Sequence, residues 1–399
     1  MAEAFSSNVV VMGGAGHVGL PLGIALAKSG LRTVLYDINE SSVAKVSAGI
    51  MPFLERNADP VLREVLDSGL LTAVSDPATI ASAEIMVVVV GTPVDEHLNP
   101  DPWAVRRAIS EVIDHLRDGQ LLILRSTLFP GSTALIESLI AETGLDIDIA
   151  FCPERIAEGH AMTELYELPQ IIAGRTGRAA QRAEALFRRL TKKIVYLTPE
   201  EAELAKLFTN TWRYIKFATA NQLYMIADNY GLNFDRIRRG LAEGYDRARD
   251  LPRAGFAAGP CLFKDTMQLA AFNDNNFTLG HAAMMVNEGM PLYLVSKIER
   301  SHDLRSMTVG ILGMAFKAES DDIRSSLSYK LKRILRYRAA GVLTTDPFVT
   351  VDPELVSLDR VIHESDLLII GAPHRQYAHL EPSQPVVDIW NLLDSTKEL

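Results

Sequence analysis

Apolar and polar positions follow two distinct rhythms along this chain. In the opening stretch "VVVMGGAGHVGLPLGIALAKSGLRTVLYDIN" a continuous apolar run reads as a buried strand, glycines turn the chain, and apolar residues recur at helical spacing until Ser29–Gly30. A second strand, "TVLYD", closes that unit. Strand rhythm returns in "EIMVVVVGTP", which ends at Gly91–Thr92–Pro93, in "QLLILRSTLFPGST", which ends at Ser126–Thr127 before a Pro–Gly turn, and in the shorter "DIDIAFCPE". Near Thr198 the texture changes. "TPEEAELAKLFTNTWRYIKFATANQLYMIADNYGL" offers an N-cap threonine, proline at the first helical position, early glutamates and no breaker before Gly231, which predicts one long helix. More helix is expected through "DTMQLAAF" and "GHAAMMVNEGMPLYLVSKIERS", after which "MTVGILGMAF", "VLTTDP", "DLLIIGAP" and "PVVDIW" resume the strand pattern. The expected organisation is α/β at both ends with a helical middle, divided as 1–197, 198–302 and 303–399.

Composition narrows the class. With 399 residues, 48% of them hydrophobic, the chain can bury more than one core. A formal net charge of -10 argues against a nucleic-acid partner, yet allows a small anionic ligand, because a few local donors reverse the field inside a cleft. The first eight residues, "MAEAFSSN", lack the basic start and apolar centre of a signal peptide, and no apolar run reaches about 18 residues, so the expectation is a cytoplasmic protein without a membrane span. Two cysteines make no disulfide framework. Nine histidines without H-x-x-x-H or clustered Cys/His spacing give no metal site.

Gly14, Gly16 and Gly19 fit G-x-G-x-x-G between a strand and a helix, where missing side chains permit a tight turn, close approach of a pyrophosphate and helix–strand packing. Asp37, eighteen positions beyond Gly19, stands where a carboxylate accepts hydrogen bonds from an adenine ribose and repels a 2'-phosphate. NAD is therefore expected rather than NADP. In an open parallel sheet ligands lie at the carboxyl ends of strands, so His17 and Val18 in the glycine turn, with Gly91, Thr92, Pro93, Ser126 and Thr127, should border the cofactor. Glu154 and Glu158 follow the "DIDIAF" strand and on spacing alone suit solvated loop acids as well as a site. Lys206 and Asn210 share a helix face. The long helix is too apolar for a simple surface helix, which points to an oligomer.

The chain resembles the nucleotide-sugar 6-dehydrogenases, the family of UDP-glucose 6-dehydrogenase and the UDP-N-acetylhexosamine dehydrogenases. The resemblance runs almost end to end, through "GGAGHVGLPLG", "VGTPVDEHLNPD", "STLFPGST", "CPERIAEGHA", "EAELAKLFTNTWRYIKFATANQ", "GFAAGPCLFKD" and "GMAFKAESDDIR". It implies two Rossmann-like doubly wound domains joined by a long central helix with a helical dimerisation layer. It also implies that a sugar's primary alcohol is oxidised twice by NAD to a carboxylate, in a homodimer acting on a UDP-sugar.

That chemistry gives Cys261 a task. One hydride can leave an alcohol directly, but a second cannot leave the aldehyde until a nucleophile has made its carbon tetrahedral. A thiolate does this, forming a thiohemiacetal that is oxidised to a thioester and released by water. Lys206 or Lys264 would favour that thiolate. Cys152 instead reads as a small buried hydrophobe. By resemblance Lys206 stabilises the developing oxyanion, Asn210 helps hold that oxygen, Asp265 with a water shared by Thr127 accepts the alcohol proton, and Glu154 assists thioester hydrolysis. Arg155, Glu158, Phe256 and Gly259 fall in substrate-side motifs, and Lys317 and Arg324 in the motif that reaches the nucleotide, where they would neutralise the diphosphate.

Some positions depart from the family pattern. The turn Phe256-Ala257-Ala258-Gly259-Pro260-Cys261 carries added methyls where UDP-glucose enzymes have a glycine pair. "CPER" resembles the N-acetylated-sugar branch, whereas Glu158 and "CLFKD" resemble the glucose branch. The balance leans to an N-acetylhexosamine. Two other readings stay open on sequence: a two-electron dehydrogenase of the 3-hydroxyacid type, and a sugar-nucleotide binding protein without turnover.

Overall fold

The computed structural model describes residues 5–92, 94–95 and 100–393. The chain divides into two compact units between Phe208 and Thr209. The first holds an eight-stranded sheet among the described residues, β1 (Ser7–Met12), β2 (Thr33–Tyr36), β3 (Leu71–Val74), β4 (Ala83–Val88), β5 (Leu121–Leu124), β6 (Asp148–Phe151), β7 (Gln170–Gly174) and β8 (Ile194–Tyr196), in the order β3-β2-β1-β4-β5-β6-β7-β8. All neighbours are parallel except β6 and β7. The direction of winding reverses between β1 and β4, and ligands of such sheets bind in the crevice at that reversal. Strand residues Val9 to Val11 and Leu121 to Leu124 are almost wholly shielded, as the unbroken apolar runs predict for a sheet covered on both faces.

The second unit has a four-stranded parallel sheet, β9 (Thr308–Leu312), β10 (Gly341–Thr345), β11 (Leu367–Ile370) and β12 (Val386–Val387), ordered β10-β9-β11-β12. Its winding reverses between β9 and β11. Helices Leu262–Phe272 and Thr278–Ile298 precede this sheet, the latter running through Pro291. Met290, Leu294 and Val295 of that helix pack into one core with Val309, Ile311 and Ile369 of the strands.

The long helix spans Pro199–Asn229. Thr198 and Glu201 start it with a reciprocal cap: Glu201 N donates to Thr198 Oγ1 (3.3 Å) and Thr198 N to Glu201 Oε2 (2.8 Å). One turn on, buried Glu203 accepts from Gly131 N (2.7 Å), Thr133 N (2.8 Å) and Thr133 Oγ1 (2.6 Å). The helix is thus bolted to the turn that follows Ser126–Thr127. Among the described residues no helix is long and apolar enough to cross a membrane.

Candidate active site

In the first unit, β1 ends in a turn that a Cβ would break almost everywhere. Gly13 adopts φ +78°, a methyl on Gly14 would lie 2.7 Å from Leu35 Cβ, and one on Gly19 would lie 2.2 Å from Gly13 O. Gly16 differs: it is exposed, and a methyl there would meet nothing nearer than Gly13 O at 3.6 Å. The open side of the turn therefore suits a pyrophosphate, and the helix Gly19–Lys28 begins directly behind it, after Val18. Asp37 accepts from Ala15 N and Asn39 N, both at 2.9 Å, which fixes its carboxylate across the turn. His17 leaves the turn to stack on Phe53 (4.0 Å) and to face Glu158, Nδ1 to Oε1 3.3 Å. The residues of this first unit fit a dinucleotide.

The neighbouring strand ends are stitched together. Val89 N donates to Met12 O (2.8 Å), and Val90 N to Ser126 Oγ (2.8 Å), so the Gly91–Thr92 loop and the Ser126–Thr127 loop leave the sheet side by side. Pro93 lies outside the described residues.

Glu154 is not a solvated loop acid. Its Oε1 accepts from Arg155 N (2.7 Å) and Ile156 N (3.0 Å), and its Oε2 pairs with Arg125. Arg125 is itself 1% exposed, donating to Cys152 O (3.0 Å) and Gln170 Oε1 (3.1 Å) with its guanidinium 4.7 Å from the Phe187 ring centre. Arg155 turns to Pro169 O. Glu158 sits in a loop held from below by buried Glu55, which accepts from Gly159 N (2.8 Å) and Ala161 N (2.9 Å). Cys152 is fully buried, and burial pushes its thiol up to about 12 against the opposing pull of Arg125. It packs; it does not react.

The second unit presents the other cysteine in the opposite way. Cys261 is exposed, at the N-cap of the helix Leu262–Phe272. Asp265, one turn on and 0% exposed, receives Asn210 Nδ2 (2.6 Å) on one oxygen and pairs with Lys264 Nζ (2.9 Å) on the other. Lys264 thus directs its charge to Asp265. On the part of the long helix that belongs to the first unit, Lys206 is 9% exposed, an unusual burial for a lysine. Upstream, buried Asn221 accepts from Gly255 N (2.9 Å) and donates to Asn287 Oδ1 (2.9 Å), while Asn287 donates to Tyr214 O (3.0 Å). Gly255 admits the Trp390 indole, which a Cβ would meet at 2.1 Å, and Phe256 meets the same ring edge-on. Gly259, at φ +103°, lies beneath the Phe316 ring, 2.6 Å from where a Cβ would stand. Arg324 pairs with Asp322 (2.6 Å), and Lys317 Nζ lies 5.3 Å from the Phe316 ring centre.

Sequence reasoning passed over Arg125, Glu55, Glu203, Asn221 and Asn287. Each is polar and looks like surface in a linear reading; each is buried, and its importance lies in partners 27 to 106 positions away, for instance Arg125–Cys152 and Glu55–Ala161.

Comparison with known proteins finds three family models along the chain. They are the NAD binding domain (residues 7–191), the central domain (200–289) and the UDP binding domain (310–395) of the UDP-glucose/GDP-mannose dehydrogenase family. The chain is 32% identical over 377 residues to a UDP-N-acetyl-D-mannosamine dehydrogenase of Pyrococcus horikoshii, covering 91% of this chain and 89% of that one. It is 29% identical to the enzyme of that name from Yersinia pestis, covering 92% and 94%. The solved UDP-glucose dehydrogenase of Pyrobaculum islandicum superposes with a TM-score of 0.91 at 26% identity, covering 100% of this chain and 97% of that one.

Proposed function

Because the chain belongs to the UDP-glucose/GDP-mannose dehydrogenase family, we propose that it oxidises the 6-hydroxymethyl group of a UDP-N-acetylhexosamine to a carboxylate in two steps on one cysteine. It is an NAD-dependent nucleotide-sugar dehydrogenase. The names of the Pyrococcus and Yersinia relatives favour UDP-N-acetyl-D-mannosamine as the first sugar to test. UDP-glucose is the second reading, favoured by the Pyrobaculum likeness and by Glu158. The proposed division of labour gives NAD to 1–197, the thiol to 198–302 and the nucleotide sugar to 303–399. The chemistry needs Cys261 as a free thiol, which suits a reducing, cytoplasmic setting.

Bound NAD supplies acceptance of a hydride, needed twice per sugar. The chain's own residues supply the rest. Asp265, held by Asn210 and Lys264, takes the hydroxyl proton, and Lys206 and Asn210 stabilise the oxygen as charge develops. Cys261 adds through sulfur to the C6 aldehyde, the carbonyl oxygen gaining the proton, and the thiohemiacetal becomes a thioester when it loses its C–H as hydride and its hydroxyl proton to water. Water then breaks the C–S bond, giving carboxylate and thiol, with Glu154 assisting. Lys317 and Arg324 neutralise the diphosphate. The observation that carries this reading is the contrast between the cysteines: one sealed in a core, the other exposed at a helix N-terminus.

Two NADH per carboxylate identified by mass, across a panel of nucleotide sugars, is the expected result. One NADH per sugar would favour the two-electron alternative, and binding without NADH the non-catalytic one. Trp212 and Ile226 on the long helix, Tyr230 just after it and Met285 on the helix Thr278–Ile298 are more than half exposed, which supports a homodimer through this helical layer. Sedimentation at twice the 43.9 kDa chain mass checks it.

Asp37→Ala is expected to weaken NAD binding about tenfold and to narrow the preference over NADP, since the ribose acceptor is lost and two backbone N–H groups lose theirs. Titration with both cofactors reads this out, and an unchanged preference refutes the assignment.

A further inference from the structure

The two sheets repeat one local device. After β1, Gly13 N donates to Tyr36 O (2.9 Å), and Asp37 accepts from Ala15 N and Asn39 N. After β9, Gly313 N donates to Thr345 O (2.9 Å), and Asp346 accepts from Ala315 N (2.9 Å) and from Phe348 N (2.9 Å), again two positions beyond the acid. The copies differ in what covers the carboxylate. Asp37 is half-buried, whereas the side chain of Asp346 is fully enclosed and meets His374 Nε2 at 3.1 Å. Burial pushes the Asp346 carboxyl up, but the His374 contact and the backbone donors more than reverse this and hold it below the usual range.

His374 follows β11 at the reversal of the second sheet and is 0% exposed. Its Nδ1 accepts from Glu319 N at 2.9 Å. A neutral imidazole has one acceptor and one donor, so the proton sits on Nε2, aimed at Asp346. Glu319 has φ +55°, a left-handed conformation that a non-glycine residue keeps only when its surroundings hold it there. Glu319 also ties back through its own carboxylate, which accepts from Arg375 N (2.9 Å). The loop is closed by Phe316 N to Asp322 O (2.9 Å), and its Phe316 ring lies against Gly259, two residues before Cys261.

We propose that His374 is a positioning residue for the nucleotide sugar: braced by Asp346, it holds the Glu319 backbone so that loop 316–324 presents Lys317 and Arg324 to the diphosphate. The acid that serves ribose in the first sheet serves as a brace in the second. This rests on the role given above to Lys317 and Arg324.

Two isosteres dissect the histidine. Asparagine keeps an acceptor near the Nδ1 position, and glutamine keeps a donor near Nε2. His374→Gln is expected to raise the KM for the nucleotide sugar and the Kd for UDP about tenfold, with kcat and NAD affinity within about twofold. His374→Asn should recover most of the loss. Wild-type UDP affinity in His374→Gln with an intact Tm, or equal losses in both variants, overturns the proposal. Hydrogen exchange on the wild-type chain is an independent check: the Glu319 amide should be protected, and exchange as fast as an exposed loop amide would also overturn it. Lys317→Ala and Arg324→Ala separate the two layers. If neither changes UDP affinity, the reading of the loop falls and the inference with it. If both weaken UDP while His374→Gln does not, only the role of His374 is wrong.

Discussion

Cys261→Ser is expected to stop carboxylate formation, lowering two-NADH turnover by at least ~10³-fold while UDP and NAD still bind. Serine keeps the shape but not the chemistry. Its hydroxyl is hardly ionised near neutral pH, and an oxygen ester releases acid more slowly than a thioester. Because Cys261 is exposed and serine matches its size, the substitution should leave the melting temperature nearly unchanged, so lost turnover cannot be ascribed to unfolding. At most one NADH per sugar should remain, from alcohol to aldehyde. Carboxylate made at the normal rate by this variant refutes the thioester route. Cys152→Ala supplies the contrast: removing a fully buried thiol costs stability and leaves the rate per folded molecule unaltered.

Lys206→Met should cost ~10²–10³-fold in kcat with little change in KM, the loss associated with removing one preorganised donor from a developing oxyanion. The long helix is mounted to make that lysine rigid. The Thr198–Glu201 cap fixes its start, Glu203 fastens it to Gly131 and Thr133, and one turn beyond Lys206, Asn210 grips Asp265. A cation held at 9% exposure costs desolvation, which the proposed oxyanion beside it would offset. Lys206→Arg should not rescue, since a planar fork does not replace a compact point charge. Steady-state kinetics on both variants decide it: near-normal kcat in Lys206→Met would remove the lysine from the mechanism.

Much of the frame is readable one-dimensionally because it is local. Gly14, Gly16, Gly19 and Asp37 sit at fixed offsets between strand and helix, and the start of the long helix is written in Thr198, Pro199 and Glu201. Cys261 became meaningful only beside the family motif, because an isolated cysteine more often packs, as Cys152 does. What escaped is the set of buried polar residues that hold the site loops. Arg125, Glu55 and Asn287 have side chains typical of surfaces, and their partners are far along the chain. Strand β7 escaped for a related reason: its antiparallel pairing with β6 is a tertiary choice that apolar periodicity does not encode. Asp346 was within reach, since "GILGMA" and "TTD" echo "VVMGGA" and "LYD", but its cover by His374 was not.

The indole seated on Gly255 has a practical consequence. Of the three tryptophans, Trp103 and Trp212 are about half exposed, whereas Trp390 lies on the backbone of the segment that leads to Cys261 and hydrogen-bonds Ile370 O. With Trp103 and Trp212 replaced by phenylalanine, its emission should report on that segment, so that events at the sulfur could be timed by fluorescence without attaching a dye.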